Sequence, residues 1–311
     1  MVAAASSASS PQFETHFVSA ADGLKLHARV WGAAHREALP VVCLPGLART
    51  ADDFDALASH LAADPAQPRR VLALDYRGRG ASDYDRDPRN YNLSVELADV
   101  IAVVTALEAY PAVYVGTSRG GLLTMLLAAA RLTLLAGAVL NDIGPVIESK
   151  GLMRIKSYVG KLPQPKDLED GAEMLRRLFS AQFPRLTADD WRAAARRNWR
   201  QADGRLVLAY DPRLAETLKS ADPEQPLPAL WPQFDALAHV PVMAIRGAHS
   251  DILSAETVAA MRARRPDLQV LEVPDQGHPP LLEGPDMADR IRSFVARCAS
   301  ERCRSSTAAL R

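Results

Sequence analysis

Four short apolar runs, at residues 41–44, 70–74, 113–115 and 136–140, alternate with segments of helical periodicity at 52–62, 94–108 and 120–132. Strands that are apolar nearly throughout must be buried on both faces. Helices between them supply that cover, so the pattern demands a parallel α/β sheet. In 94–108, Ser94 is placed to cap the helix, and Leu97, Ile101 and Val104 fall on one face. Ahead of the first run, 13–19 and 24–31 alternate apolar and polar residues about Asp22-Gly23, the signature of a β-hairpin.

The alternation stops at Pro145 and resumes near residue 235, with a strand at 242–246, a helix at 255–265, a strand at 270–273 and a helix at 286–297. Between them no strand pattern is legible. Helices are expected at 151–159, 168–179, 188–199 and 213–218, with Thr187 capping the third, and the segment carries Tyr158, Trp191, Trp199, Tyr210 and Trp231. It leaves from the carboxyl end of a strand, where open α/β sheets bind ligands, so it is expected to cap the site. The expected organisation is a core of 13–144 and 235–298, a helical cap of 145–234, and disordered tails at 1–12 and 299–311.

Composition narrows the function. Lys plus Arg and Asp plus Glu both number 37, so no basic excess is available for a phosphate backbone and nucleic acid is not expected as a partner. Apolar runs such as 122–130 fall short of the roughly 20 residues that span a bilayer, so no membrane partner is expected. Three cysteines cannot staple a chain of 311 residues, and the N-terminus lacks the basic and apolar regions of a signal peptide. A reducing, cytoplasmic setting is expected. Cys298 and Cys303 have no histidines at zinc spacing, and Gly78-Arg79-Gly80 does not complete a dinucleotide fingerprint. Neither metal nor cofactor is expected.

The chemistry concentrates at Gly116-Thr117-Ser118-Arg119-Gly120, followed by Gly121, between a strand and a helix. This is G-x-S-x-G in the setting of a nucleophile elbow, where small residues let a sharp turn project the serine. A serine needs a base to take its proton. Among seven histidines, His278 follows the 270–273 strand in Gly277-His278-Pro279, a loop suited to presenting a ring; His249 is the runner-up. A carboxylate should orient that ring. Asp251, just past the 242–246 strand, is the expected acid, and the order Ser118, Asp251, His278 fits; Asp142, at the end of the 136–140 strand, is the rival or a neighbouring support. Two backbone amides should bind the oxyanion: Arg119, next after the serine, and Leu47, in Leu44-Pro45-Gly46-Leu47 after the first core strand.

These residues resemble the α/β-hydrolase superfamily with a helical cap, over about residues 13–297. The segment Asp75-Tyr76-Arg77-Gly78-Arg79-Gly80-Ala81-Ser82 matches the D-x-R-G-x-G-x-S turn of its esterases, enol-lactone hydrolases, C–C bond hydrolases and epoxide hydrolases. The resemblance implies a mostly parallel eight-stranded sheet flanked by helices, with the cap inserted after the sixth strand. It also implies acyl transfer on a small ester or lactone. Ser118, where epoxide hydrolases and haloalkane dehalogenases have Asp, argues against both of those activities. Leu44-Pro45-Gly46-Leu47 replaces the common His-Gly loop, and Arg119 is an unusual successor to the serine, expected to lie in the helix surface or to reach an anionic substrate. A C–C bond hydrolase or cofactor-free dioxygenase would use the same three residues, and a non-catalytic ligand receptor would keep the scaffold.

Overall fold

The computed structural model describes residues 13–219, 222 and 227–309. The leading 1–12 and residues 310–311, for which disorder is expected, lie outside the described residues. In chain order the strands are β1 (Glu14–Ser19), β2 (Lys25–Trp31), β3 (Val41–Leu44), β4 (Val71–Asp75), β5 (Ala112–Thr117), β6 (Leu135–Asn141), β7 (Trp199–Ala202), β8 (Arg205–Leu208), β9 (Val242–Gly247) and β10 (Gln269–Val273). The helices are α1 (Asp55–Ala62), α2 (Leu93–Ala106), α3 (Arg119–Arg131), α4 (Ser149–Tyr158), α5 (Leu168–Phe179), α6 (Ala188–Asn198), α7 (Trp231–Asp235), α8 (Ala255–Arg264) and α9 (Pro285–Ala309).

Eight strands form one sheet in the order β1-β2-β4-β3-β5-β6-β9-β10. β2 runs antiparallel to β1 and β4, and the remaining neighbours are parallel. The fold expected from the sequence is the fold found, with the insertion after the sixth strand. Strands β3 to β6 are buried at every position, as strands covered on both faces must be. One apolar cluster packs α1 and α9 residues such as Leu57 and Ile291 against Val71 and Val113. The other packs Val100, Leu123 and Met261 against Leu72 and Leu140. Leu44 pairs with Gly116 and Thr117 with Asn141, so these strands end together along one rim.

Three local expectations change. Asn92, not Ser94, caps α2, because its side chain accepts from the Ser94 and Val95 amides. The insertion is not free of strands. β7 and β8 pair as a hairpin across Asp203-Gly204, both with positive φ. Asp-Gly is the turn pair such a hairpin requires, so the signal was in the sequence. Finally, α9 runs on to Ala309, so 299–309 is helix rather than disordered tail. Thr187 does cap α6, in a reciprocal pair with Asp190. Trp191, Trp199, Leu175 and Phe183 form a separate small core within the insertion.

Candidate active site

Ser118 sits between β5 and α3 with φ 51° and ψ −112°, a conformation unfavourable for any side chain and maintained by its surroundings. The glycines allow the turn. A Cβ on Gly120 would stand 2.0 Å from the Leu44 carbonyl oxygen, and one on Gly116 would stand 2.5 Å from the Gly120 backbone. The Ser118 amide donates to the Asn141 carbonyl at 2.9 Å, which extends the β5–β6 pairing into the elbow.

His278 Nε2 lies 2.9 Å from Ser118 Oγ. Its Nδ1 lies 2.8 Å from Asp142 Oδ2, not from Asp251. Here the structure corrects the sequence reading. Asp142 follows β6 in the left-handed region (φ 56°), and its amide donates to the Ile245 carbonyl at 2.7 Å. That turn directs the fully buried carboxylate under the ring. Gly247 N donates to Oδ1 at 2.8 Å and Ser250 Oγ to Oδ2 at 2.6 Å. With His278 Nδ1, three partners satisfy the carboxylate so that it is not left unpaired in the interior.

Asp251 serves a different contact. Arg154 of α4 donates to it through Nε at 2.7 Å and Nη2 at 2.8 Å, and the Asp251 carbonyl accepts the Gly151 amide at 3.0 Å. Asp251 therefore anchors the insertion to the core. Burial pushes its carboxyl up, but the Arg154 guanidinium outweighs burial and holds it below the usual value. His249, the other histidine considered, donates its amide to the Gln276 carbonyl and lies outside the Ser118–His278–Asp142 chain.

Leu47 and Ser118 line one cavity of about 170 Å³ with His278, and a Cβ on Gly46 would stand 3.9 Å from that of Ser118. Arg119 is the first residue of α3, where helical amides have no intrahelical acceptor. Its side chain turns away from the reacting atoms, donating to Glu96 and, at 3.3 Å, to the Tyr91 carbonyl. The insertion supplies Tyr158, Leu162, Phe179 and Trp191 to the same cavity. Arg197 of α6 pairs with Glu283 at 2.7 Å and approaches Asp53, which also pairs with Arg49. That arc of charge ties insertion to core along the cavity wall. Among the described residues, no group of three or more His, Cys, Asp or Glu side chains is placed to hold a metal ion, and no helix is long and apolar enough to cross a membrane.

Sequence reasoning missed Ser250, whose hydroxyl also accepts the Ile252 and Leu253 amides and so fixes the loop around Asp142. It also missed Asn141, which donates to Thr117 Oγ1 and to the Pro280 carbonyl, binding the elbow to the histidine loop. Neither has a motif; each is defined only by strands meeting in space. The Asp75–Ser82 turn braces the rim: Asp75 holds His27 at 2.7 Å and the Ala51 amide at 2.7 Å, and Arg77 forks onto Asp99.

Residues 41–290 match the family model described as the alpha/beta hydrolase family. A 3-hydroxybutyrate-oligomer hydrolase from Cupriavidus necator is 37% identical over 252 residues, covering 79% of this chain and 84% of that protein. A 2-(acetamidomethylene)succinate hydrolase from Mesorhizobium japonicum is 27% identical over 209 residues, covering 67% and 71%. Among solved structures, an alpha/beta hydrolase from Novosphingobium aromaticivorans is 39% identical with a TM-score of 0.84, covering 92% of this chain and 98% of that one. The matched span runs from β3 into α9, and the chain belongs to the alpha/beta hydrolase family.

Proposed function

We propose that this protein is a serine hydrolase of short carboxylic esters, with oligomers of small hydroxy acids as the substrate class, acting through Ser118, His278 and Asp142. The observation that carries the reading is the continuous chain Ser118 Oγ–His278 Nε2, His278 Nδ1–Asp142 Oδ2 opening on a cavity. The likeness to the 3-hydroxybutyrate-oligomer hydrolase supports the substrate class.

In this reading His278 takes the Ser118 proton as Oγ attacks the ester carbonyl. Asp142 holds Nδ1 protonated and stabilises the imidazolium. The Leu47 and Arg119 amides receive the oxyanion. Collapse expels the alcohol, protonated by His278. Water, deprotonated by the same ring, then releases the acid and restores the serine. The described residues of 145–234 cap the core of 13–144 and 235–298, and the Tyr158–Phe179 pair (ring centres 5.1 Å apart) forms part of the apolar wall that admits the acyl chain.

The test is turnover of p-nitrophenyl butyrate and of 3-hydroxybutyrate dimers and trimers by wild type and Ser118→Ala, with a fluorophosphonate label located by mass spectrometry. Turnover that falls by several orders of magnitude in the variant, with the label on Ser118, is the expected result. Ester turnover that survives Ser118→Ala would sink the reading.

A further inference from the structure

The two amides assigned to the oxyanion come from separate elements: Leu47 from the loop after β3, Arg119 from the start of α3. Donors to a developing charge must already converge, because an error of about 1 Å costs roughly 100-fold in rate. Something must hold these two elements in register.

The peptide that carries the Leu47 N–H lies between two clamped carbonyls. Tyr76 Oη donates to the Pro45 carbonyl at 3.2 Å, and Arg79 Nε donates to the Leu47 carbonyl at 2.9 Å. Arg79 is wholly buried, and its guanidinium lies 5.4 and 5.7 Å from the Tyr76 and Tyr91 ring centres. Its Nη1 makes an ion pair with Glu96 Oε1 at 2.8 Å. Glu96, on α2, is wholly buried as well, and its Oε2 accepts Arg119 Nε. One carboxylate thus joins both amide-bearing elements: Leu47 through Arg79, and Arg119 directly.

We propose that Glu96 is a positioning residue for the oxyanion site, locking the Leu47 loop to the Arg119 turn through the Arg79–Glu96–Arg119 bridge. The proposal rests on the serine-hydrolase reading above.

Two further features support it. Burial alone pushes the Glu96 carboxyl up, yet Arg119 and Arg79 outweigh it and keep it ionised. Buried ion networks of this kind add little stability over an apolar replacement, so stability does not by itself explain the arrangement. The same turn also seats the insertion: the Gly80 amide donates to the Ala209 carbonyl at 2.8 Å, and the Asp211 amide to the Gly78 carbonyl at 2.7 Å.

The experiment compares wild type, Glu96→Gln, Arg119→Met and the double variant in the full chain. Rates on p-nitrophenyl butyrate are expressed per fluorophosphonate-labelled site, and inhibition by an alkylboronic acid reports binding of a tetrahedral anion. Glu96→Gln is expected to lower kcat about 100-fold with KM within about threefold, and to weaken the boronic acid by a similar factor. Should the unbalanced charge prevent Glu96→Gln from folding, the double variant restores the balance by removing one arginine. It should fold and still show low kcat, because the ion pair that ties Arg79 to α2 is gone. A kcat per labelled site within threefold of wild type in the folded variants overturns the proposal while leaving the serine-hydrolase reading intact. A wild type that neither takes the label nor turns over ester overturns both.

Discussion

Asp142 and His278 are joined at 2.8 Å although 136 residues separate them in the chain. The contact exists because β6 and β9 are neighbours and the loop after β10 folds back across their ends. Asp142→Asn presents the wrong donor pattern to Nδ1 and is expected to lower kcat about 10⁴-fold. Asp251→Asn weakens the tie to Arg154 and leaves the His278–Asp142 contact in place, so it should remain within about tenfold of wild type. Steady-state rates for both variants check the assignment, and the reverse ranking would return the role to Asp251.

The elbow leaves no room at Gly120, where a Cβ would meet the Leu44 carbonyl at 2.0 Å. Backbone cannot retreat as a flexible side chain can. Gly120→Ala should lower stability by at least about 1–3 kcal/mol in urea denaturation and displace Ser118 from His278, reducing labelling by fluorophosphonate. Wild-type stability would mean that the elbow is looser than its contacts indicate.

Phe179 packs edge-on to Tyr158 and lines the cavity. Phe179→Ala should enlarge the acyl pocket and raise the octanoate-to-butyrate ratio of kcat/KM by about fivefold or more, since one methylene is worth about 1–3 kcal/mol in a fitted pocket. An unchanged chain-length profile would place the acyl chain elsewhere.

Asp251 predicts a pH dependence of stability. Arg154 holds its carboxyl below the ordinary 3.8, so the pair stabilises the fold at pH above that value and loses its effect as pH falls through the lower folded value. Asp251→Asn should therefore melt at a lower temperature than wild type at pH 7. The gap should close as pH falls below about 4. Thermal melts from pH 7 to 3 read this directly, and a constant gap would show that the ion pair is not its source.

Cys43 and Cys298 are buried and Cys303 is exposed. Burial pushes the Cys298 thiol up to about 12 and raises that of Cys43 as well, leaving almost no thiolate near neutrality. Iodoacetamide at pH 8 should add one group to the folded protein, at Cys303, and three in urea. Mass spectrometry counts them.

How much of this was legible in the chain depends on range. Strands β3, β5 and β6 show as the apolar runs 41–44, 113–115 and 136–140 because burial on both faces is a local demand on composition. The elbow shows because its glycines answer to backbone contacts within a few residues of Ser118 and to one neighbouring strand. The β7–β8 hairpin was readable from Asp203-Gly204 but lay in a segment dominated by helical signals.

The alternating architecture, the serine at the elbow and the histidine after the last strand are legible in the chain alone. All three follow from side-chain burial and backbone sterics near each residue. Which of Asp142 and Asp251 meets His278 is set in three dimensions: Asp142 does. Both precede His278 in the chain, so order cannot separate them, and both follow strands that lie side by side, Asp142 directly after β6 and Asp251 four residues after β9. What separates them is direction. A left-handed turn aims Asp142 inward at the ring, while Arg154, from a distant part of the chain, holds Asp251. The bridge through Glu96 is of the same kind: it joins residues 47, 79, 96 and 119, which no local pattern connects.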